Sequence, residues 1–178
     1  IKSIMEKAVV LLSGGMDSAV VAAIASQEYN TYFMHIDYGQ RTEKKEKEVF
    51  LKLVDFFKPK EHLIISMNHF KTIGGSALTD IRIDVPYGLS EEGIPPTYVP
   101  FRNANFLSAA VSWAEVVGAT KIFIGATEED AAGYPDCRKE FYDAFNLVIQ
   151  KGTKQKNIEI ITPVINLKKS EIVKLGTK

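Results

Sequence analysis

Ala8-Val9-Val10-Leu11-Leu12 leads directly into Ser13-Gly14-Gly15-Met16-Asp17-Ser18, and on into Ala19-Val20-Val21-Ala22-Ala23. The five apolar residues predict a short buried strand over 8–12, and the two glycines turn the chain. Small residues then predict a helix over 18–27 that can lie close on a sheet. A strand, a glycine turn and a helix in this order point backbone N–H groups and the positive end of a helix dipole at one spot. That arrangement suits a phosphate. Glycine is needed there because a Cβ would block close approach of the backbone to a ligand. Two common phosphate motifs do not fit. Met16 and Asp17 follow Gly15 where a P-loop needs lysine, and G-x-G-x-x-G is absent. The hydrolase elbow G-x-S-x-G is absent too.

Ser-Gly-Gly-Met-Asp-Ser resembles the pyrophosphate loop, SGGxDS, of the PP-loop ATP-pyrophosphatase superfamily. The resemblance implies a protein that splits ATP between its α- and β-phosphates and activates a substrate by adenylation. It implies an ATP-binding segment of Leu12, Ser13, Gly14, Gly15, Met16, Asp17, Ser18, Ala19, Val20, Val21 and Ala22, with Ser13, Asp17 and Ser18 catalytic. A carboxylate beside bound phosphates repels them unless a cation lies between, so Mg²⁺ is expected near Asp17. The competing reading makes Asp17 a helix N-cap and Gly14-Gly15 a plain turn.

Composition narrows the class. At 178 residues and 46% hydrophobic, the chain is long and apolar enough for one globular domain with a core. With 22 basic and 22 acidic residues the formal charge is zero, which argues against strong non-specific nucleic-acid binding. No run of 18 apolar residues occurs and no signal peptide is visible in residues 1–7, so a cytoplasmic protein with no membrane association is expected. Cys137 is the only cysteine, which leaves no four-cysteine metal site and no intrachain disulfide in this sequence. Ile1 is no initiator and Lys178 follows an amphipathic helix directly, so both ends read as incomplete.

Further along, strands are predicted over 31–36, 62–67, 121–125 and 158–161. Helices are predicted over 42–57, 103–117, from Pro135 to 150, and over 168–175. The Lys/Glu run of the 42–57 helix reads as a solvated face. Residues 68–100 hold Gly74-Gly75, Pro86, Gly88, Gly93, Pro95-Pro96 and Pro100. The stretch is too long for an idle connection and reads as a mobile substrate lid. Alternation of strands and helices predicts an α/β fold. It is a Rossmann-like, doubly wound, five-stranded, mainly parallel sheet with helices on both faces. Ligands of such sheets bind beyond the carboxyl ends of the strands.

Three stretches at those ends carry further chemistry. In Tyr98-Val99-Pro100-Phe101-Arg102-Asn103, Arg102 can clamp a phosphate or carboxylate, or form a surface salt bridge. Asn103 can cap the helix that follows. In residues 125–138, acidic groups can read the N–H donors of a guanine-like ring and Tyr134 can stack on it. One of Glu128 and Glu129 is read as a solvated loop charge. In residues 161–173, either Lys168 or Lys169, not both, is expected to neutralise pyrophosphate.

Here the resemblance becomes specific. Ser13–Ser18, Asp37-Tyr38-Gly39-Gln40, Gly75-Ser76-Ala77-Leu78-Thr79, Val99-Pro100 with Arg102-Asn103, and Gly133-Tyr134-Pro135-Asp136-Cys137-Arg138 are similar to the 7-cyano-7-deazaguanine synthase family, from Val9 to about Thr177. The departures are Phe101, where that family often has glycine, and Ala131-Ala132, where it often has an aromatic residue and serine. The resemblance implies the adenine nucleotide alpha hydrolase-like fold and adds Arg102 and Asn103 to the ATP-binding set. It implies substrate-binding residues Tyr38, Gln40, Thr127, Asp130, Tyr134, Asp136 and Arg138. It implies ATP-dependent conversion of 7-carboxy-7-deazaguanine and ammonia into 7-cyano-7-deazaguanine, for queuosine or archaeosine precursors, by a homodimer. The family's zinc-binding cysteine cluster would follow Lys178, with Cys137 not a ligand. Two rival readings are a PP-loop enzyme that thiolates tRNA and a non-catalytic adenine-nucleotide binder. One cysteine and zero net charge weigh against the first. The second has no use for residues 133–138.

Overall fold

The computed structural model describes residues 5–84 and 93–177. Five strands, β1 (Lys7–Leu11), β2 (Asn30–Asp37), β3 (Glu61–Ser66), β4 (Lys121–Phe123) and β5 (Glu159–Ile161), form one sheet in the order β3-β2-β1-β4-β5. Every neighbouring pair is parallel, so the expectation of a mainly parallel sheet is met in full. Among the described residues seven α-helices accompany it: α1 (Met16–Glu28), α2 (Glu43–Phe57), α3 (His69–Ile73), α4 (Arg102–Val117), α5 (Glu128–Ala131), α6 (Lys139–Gly152) and α7 (Lys169–Gly176).

Alternation along the central strand sorts the core into two layers. Val9 and Leu11 of β1, with Tyr32, Met34 and Ile36 of β2, pack on Leu107, Ala110 and Ala114 of α4 and Tyr142 and Ile149 of α6. Ala8, Val10 and Leu12, with Phe33, pack on Val21, Ala22 and Ala25 of α1, Phe50 of α2 and Ile172 of α7. Strands buried on both faces have to be apolar throughout, which is why β1 reads as an unbroken hydrophobic run. The chain winds from β1 outward to β2 and β3, then returns to the other side of β1 for β4. The connections after β1 and β4 therefore leave in opposite directions and open a crevice at their carboxyl ends.

Several expectations need correction. Within the stretch 68–100 lies the unexpected α3, and residues 85–92 of it lie outside the described residues. β4 ends at Phe123, not at 125. A Cβ on Gly125 would stand 3.0 Å from Ser18 N and 3.1 Å from Asp17 C, so this backbone is pressed against the first turn of α1. The helix expected from Pro135 is a single 3-10 turn, Pro135–Cys137. Arg138 then takes an extended conformation before α6 starts at Lys139. Asn103 does not cap α4. It is the second residue of that helix, and Phe101 occupies the cap position with φ 57° and ψ 28°. That left-handed conformation favours glycine and is uncommon for a residue as bulky as phenylalanine.

Candidate functional site

Beyond β1 the chain turns at Gly14, whose φ of 85° is left-handed and whose added Cβ would meet Glu46 O of α2 at 2.9 Å. Glycine is required on both counts. The turn is tied by its own hydroxyls. Gly15 N donates to Ser13 Oγ at 3.2 Å, Ser18 Oγ donates to Gly15 O at 2.9 Å, and the two serine hydroxyls lie 3.2 Å apart. The N–H groups of Ser13, Gly14, Met16 and Asp17 have no hydrogen-bond partner among the described residues. A set of free amides at a helix N-terminus is an anion nest.

Asp17 faces this nest with its two oxygens in different states. Oδ2 takes Lys169 Nζ, from the first residue of α7, as an ion-pair partner. Oδ1 is buried and without a hydrogen bond among the described residues. Burial works against the charge of Lys169, but Asp17, with Asp130 and Glu129, outweighs it and holds the lysine pKa above its ordinary value. Of the two lysines weighed from sequence, Lys169 is the one that reaches the loop. Glu129 Oε1 accepts from Lys169 N at 3.2 Å, so this residue is engaged at the start of α7 and is not a free loop charge. The side chain of Glu128 lies outside the described residues.

A cavity of about 330 Å³ opens beside the nest. Leu12, Ser13, Gly15, Asp17 and Ser18 line it on one side, and Arg102, Asn103, Tyr134 and Asp136 on the other, with Tyr38 and Asp130 completing the ring. Arg102 makes no salt bridge among the described residues. Its Nη1 donates to Tyr38 Oη at 3.2 Å, its Nε is buried without a partner, and its guanidinium lies against the rings of Tyr38 and Phe106. A guanidinium in aromatic surroundings with no counter-ion is set for an incoming anion. Burial raises the Tyr38 pKa, so its hydroxyl stays protonated at neutral pH.

The opposite wall comes from residues 95–103 and 133–142. Tyr134 Oη and Thr97 Oγ1 share a hydrogen bond of 2.7 Å, and the rings of Tyr98 and Tyr134 lie 6.1 Å apart. Asp136 Oδ2 accepts from Asn103 N at 2.8 Å, which caps α4 from another segment. Asn103 Nδ2 donates to Asp136 O, to Cys137 Sγ and to Tyr142 Oη. Burial, with Asp136 adding to it, pushes the Cys137 thiol up to about 11. It is therefore a neutral thiol at pH 7 and a weak nucleophile.

Some residues expected at the site lie elsewhere. Gln40 is buried, its Oε1 accepting from Tyr38 N and its Nε2 donating to Glu46 Oε2, so it braces the wall from behind. Thr127 is buried and caps α5, exchanging hydrogen bonds with Asp130. Arg138 lines a separate surface hollow with Lys139 and Asn166. Gly14, Met16, Ala19, Val20, Val21 and Ala22 shape the turn and α1 without lining the cavity. Sequence reasoning missed Met34, Ile36 and Ile124, apolar lining from strands, and Thr97 and Tyr98. Of these, Tyr98, four residues before Arg102 in the same quoted stretch, carried a signal that could have found it.

The residues fit magnesium but not zinc. The orphan Oδ1 of Asp17 beside a phosphate nest is the donor expected of Mg²⁺, which takes one or two carboxylates and completes its shell with phosphates and water. Among the described residues no group of three or more His, Cys, Asp or Glu could hold a metal ion, so zinc finds no site in them. No described helix is long and apolar enough to cross a membrane.

A family model described as "Queuosine biosynthesis protein QueC" matches residues 7–178. The chain is 54% identical over 176 residues to a 7-cyano-7-deazaguanine synthase of Acidobacterium capsulatum, covering 96% of the chain and 77% of the relative. It is 57% identical over 174 residues to one of Chlorobium phaeobacteroides, covering 96% and 76%. Among solved structures, an NH3-dependent NAD synthetase from Campylobacter jejuni in complex with nitrate superposes with a TM-score of 0.55 at 17% identity, over 99% of the chain and 65% of its own length. A predicted subunit of tRNA methyltransferase from Methanocaldococcus jannaschii gives 0.64 at 16% identity, over 97% and 74%. At such identities these two speak for the fold alone.

Proposed function

The chain belongs to the QueC family of queuosine biosynthesis proteins, and we propose that it catalyses ATP-dependent conversion of 7-carboxy-7-deazaguanine and ammonia into 7-cyano-7-deazaguanine. The observation that carries the reading is the open amide nest of residues 13–17, with the Asp17–Lys169 pair beside it, at one side of a cavity whose other side holds Arg102 and Tyr134.

The chemistry needs those parts. A carboxylate is a poor electrophile. Its oxygen attacks the α-phosphorus of ATP, pyrophosphate leaves, and an acyl-adenylate forms. Ammonia displaces AMP and gives the amide. The amide oxygen is adenylated in turn, and loss of the second AMP with two protons leaves the nitrile. Charge moves onto the β-phosphate as each pyrophosphate departs. The free amides and the hydroxyls of Ser13 and Ser18 strengthen their hold as it does, which is transition-state stabilisation by preset dipoles. Lys169 carries three N–H donors and Asp17 takes one, so its charge is shared with the leaving group. Asp17 Oδ1 would hold magnesium, whose contribution there is to neutralise the outer phosphates. Arg102 and Asn103 complete the ATP-binding set from the first turn of α4, with Arg102 receiving an anion at the aromatic side. Tyr134 stacks on the deazaguanine ring, and Asp130 and Asp136 offer acceptors to its N–H groups. The described limbs of 68–100 are joined by Ala77 N donating to Pro96 O at 2.8 Å, and Leu78, Thr97 and Tyr98 line the cavity. They keep water from the acyl-adenylate, whose hydrolysis would waste ATP. A cytoplasmic homodimer belongs to the same reading.

The test is turnover with ATP, ammonium and 7-carboxy-7-deazaguanine, followed by mass spectrometry and nucleotide analysis. Nitrile, AMP and pyrophosphate are expected together, each dependent on the acid. ADP as the nucleotide product, or AMP release indifferent to the acid, would remove the reading. Binding of ATP with no pyrophosphate release under any of these conditions would favour a non-catalytic nucleotide binder instead.

A further inference from the structure

His35 sits in the middle of the apolar strand β2 and is 1% exposed. Its Nδ1 lies 2.8 Å from the carbonyl oxygen of Leu12, the residue just before the phosphate loop. A carbonyl only accepts, so Nδ1 carries the proton and donates. On the other side of the ring, Nε2 stands 3.1 Å from Asp37 Oδ1, and Asp37 Oδ2 lies 3.4 Å from Lys47 Nζ. Phe50 stacks on the imidazole with ring centroids 5.1 Å apart. Buried and stacked in this way, the ring has no room to swing, while neither Nε2 nor Asp37 Oδ1 makes a hydrogen bond among the described residues, so the Leu12 carbonyl is the one hydrogen-bond partner of the ring among them.

A trans peptide is planar, and its C=O and N–H point in opposite directions. Whatever holds the Leu12 carbonyl also aims the Ser13 N–H. The carbonyl points back at His35, so the amide points away from it, on the side where Ser13 lines the cavity and has no partner among the described residues. Were this peptide to rotate, an oxygen would replace a donor in the nest and would face the phosphates. The internal ties of the loop do not prevent this, because they join Ser13 Oγ, Gly15 and Ser18 and leave the Leu12–Ser13 peptide free. We infer that His35, buried in β2 and stacked on Phe50, is a positioning residue that fixes the Leu12–Ser13 peptide so that the Ser13 N–H faces the phosphates of ATP. The inference rests on reading residues 13–18 as the phosphate site.

Two polar substitutions separate this role from a merely structural one. In His35→Asn the amide nitrogen falls near the place of Nδ1 and can donate to the Leu12 carbonyl. In His35→Gln it falls near the place of Nε2, facing Asp37, and cannot. Both lose the stacked ring, and both are expected to melt at lower temperature than the parent. His35→Asn should keep kcat/KM for ATP within about threefold, while His35→Gln should lose about 100-fold, the scale seen when one preset donor is removed. KM for the deazaguanine acid should move in neither. Equal losses in the two variants, or no loss in His35→Gln, would overturn the inference. ATP affinity measured by calorimetry should fall in the same order. A parent protein that binds ATP without turnover would refute the proposed reaction but leave this test intact, whereas one that does not bind ATP would refute both.

Discussion

Asp17 shows how much one residue can be asked to do. A buried carboxylate oxygen without a hydrogen bond is costly in a finished fold, and Oδ1 is such an atom. The cost makes sense if the oxygen is kept for a cation that arrives with ATP, while Oδ2 is balanced by Lys169. Asp17→Ala should therefore cut turnover by at least about 100-fold, on the scale of losing one electrostatic stabiliser of the transition state. It should leave the circular dichroism spectrum unchanged, because the residue lies in the first turn of α1 and not in the core. Full activity in a folded Asp17→Ala protein would take Asp17 out of the mechanism. The aspartate was legible from the motif alone. Its partner was not, because Lys169 is 152 residues away and adjacent lysines at a turn cannot be ranked by spacing. Asp136 was legible as a site residue, but its second task was not. Its carboxylate faces the cavity but one oxygen is already committed to the end of α4, a pairing across 33 residues that no local pattern encodes. His35 was invisible for a simpler reason, since one histidine inside an apolar strand reads as core.

At the scale of elements, the loop works because three pieces of backbone meet. α1 starts over the end of β4, and the first turn of α2 lies beneath Gly14. Gly125→Ala tests the first contact. The new Cβ would meet the backbone of Asp17 and Ser18, which cannot move aside as a flexible side chain could. We expect a destabilisation of about 1–3 kcal/mol, as for other overpacked sites, in chemical denaturation. In steady-state kinetics kcat/KM for ATP should fall further than kcat/KM for the deazaguanine acid. Unchanged kinetics with respect to ATP would mean that α1 does not depend on this contact for its placement. The long elements were readable because hydrophobic period and glycine punctuation agree in them. α3 and α5 were missed because four or five residues are too few to carry a period. The break between the turn Pro135–Cys137 and α6 was missed because proline at a helix start looks the same whether or not the helix continues.

For the molecule as a whole, the strand order explains why distant residues share one cavity. The return from β3 to β4 across β1 brings α4, residues 133–137 and α7 round to the loop that follows β1. The site then has two cationic side chains, Lys169 paired with Asp17 beside the nest and Arg102 lining the cavity among aromatic rings. In the proposed reaction a phosphorus centre is joined to a carboxylate, and these two side chains are the cations proposed to receive its anions. The chain spans 74–77% of the length of 7-cyano-7-deazaguanine synthases it is similar to, and the family match covers residues 7–178.

The central claim is that the carboxylate is activated by transfer of AMP, and an isotope follows that atom by atom. The protein would be given 7-carboxy-7-deazaguanine labelled with ¹⁸O in both carboxyl oxygens, together with ATP and ammonium in unlabelled water. The account predicts that both labels leave in AMP, one on each of the two molecules released per nitrile, with none in pyrophosphate. Label appearing in inorganic phosphate, or AMP free of label while nitrile forms, would contradict it.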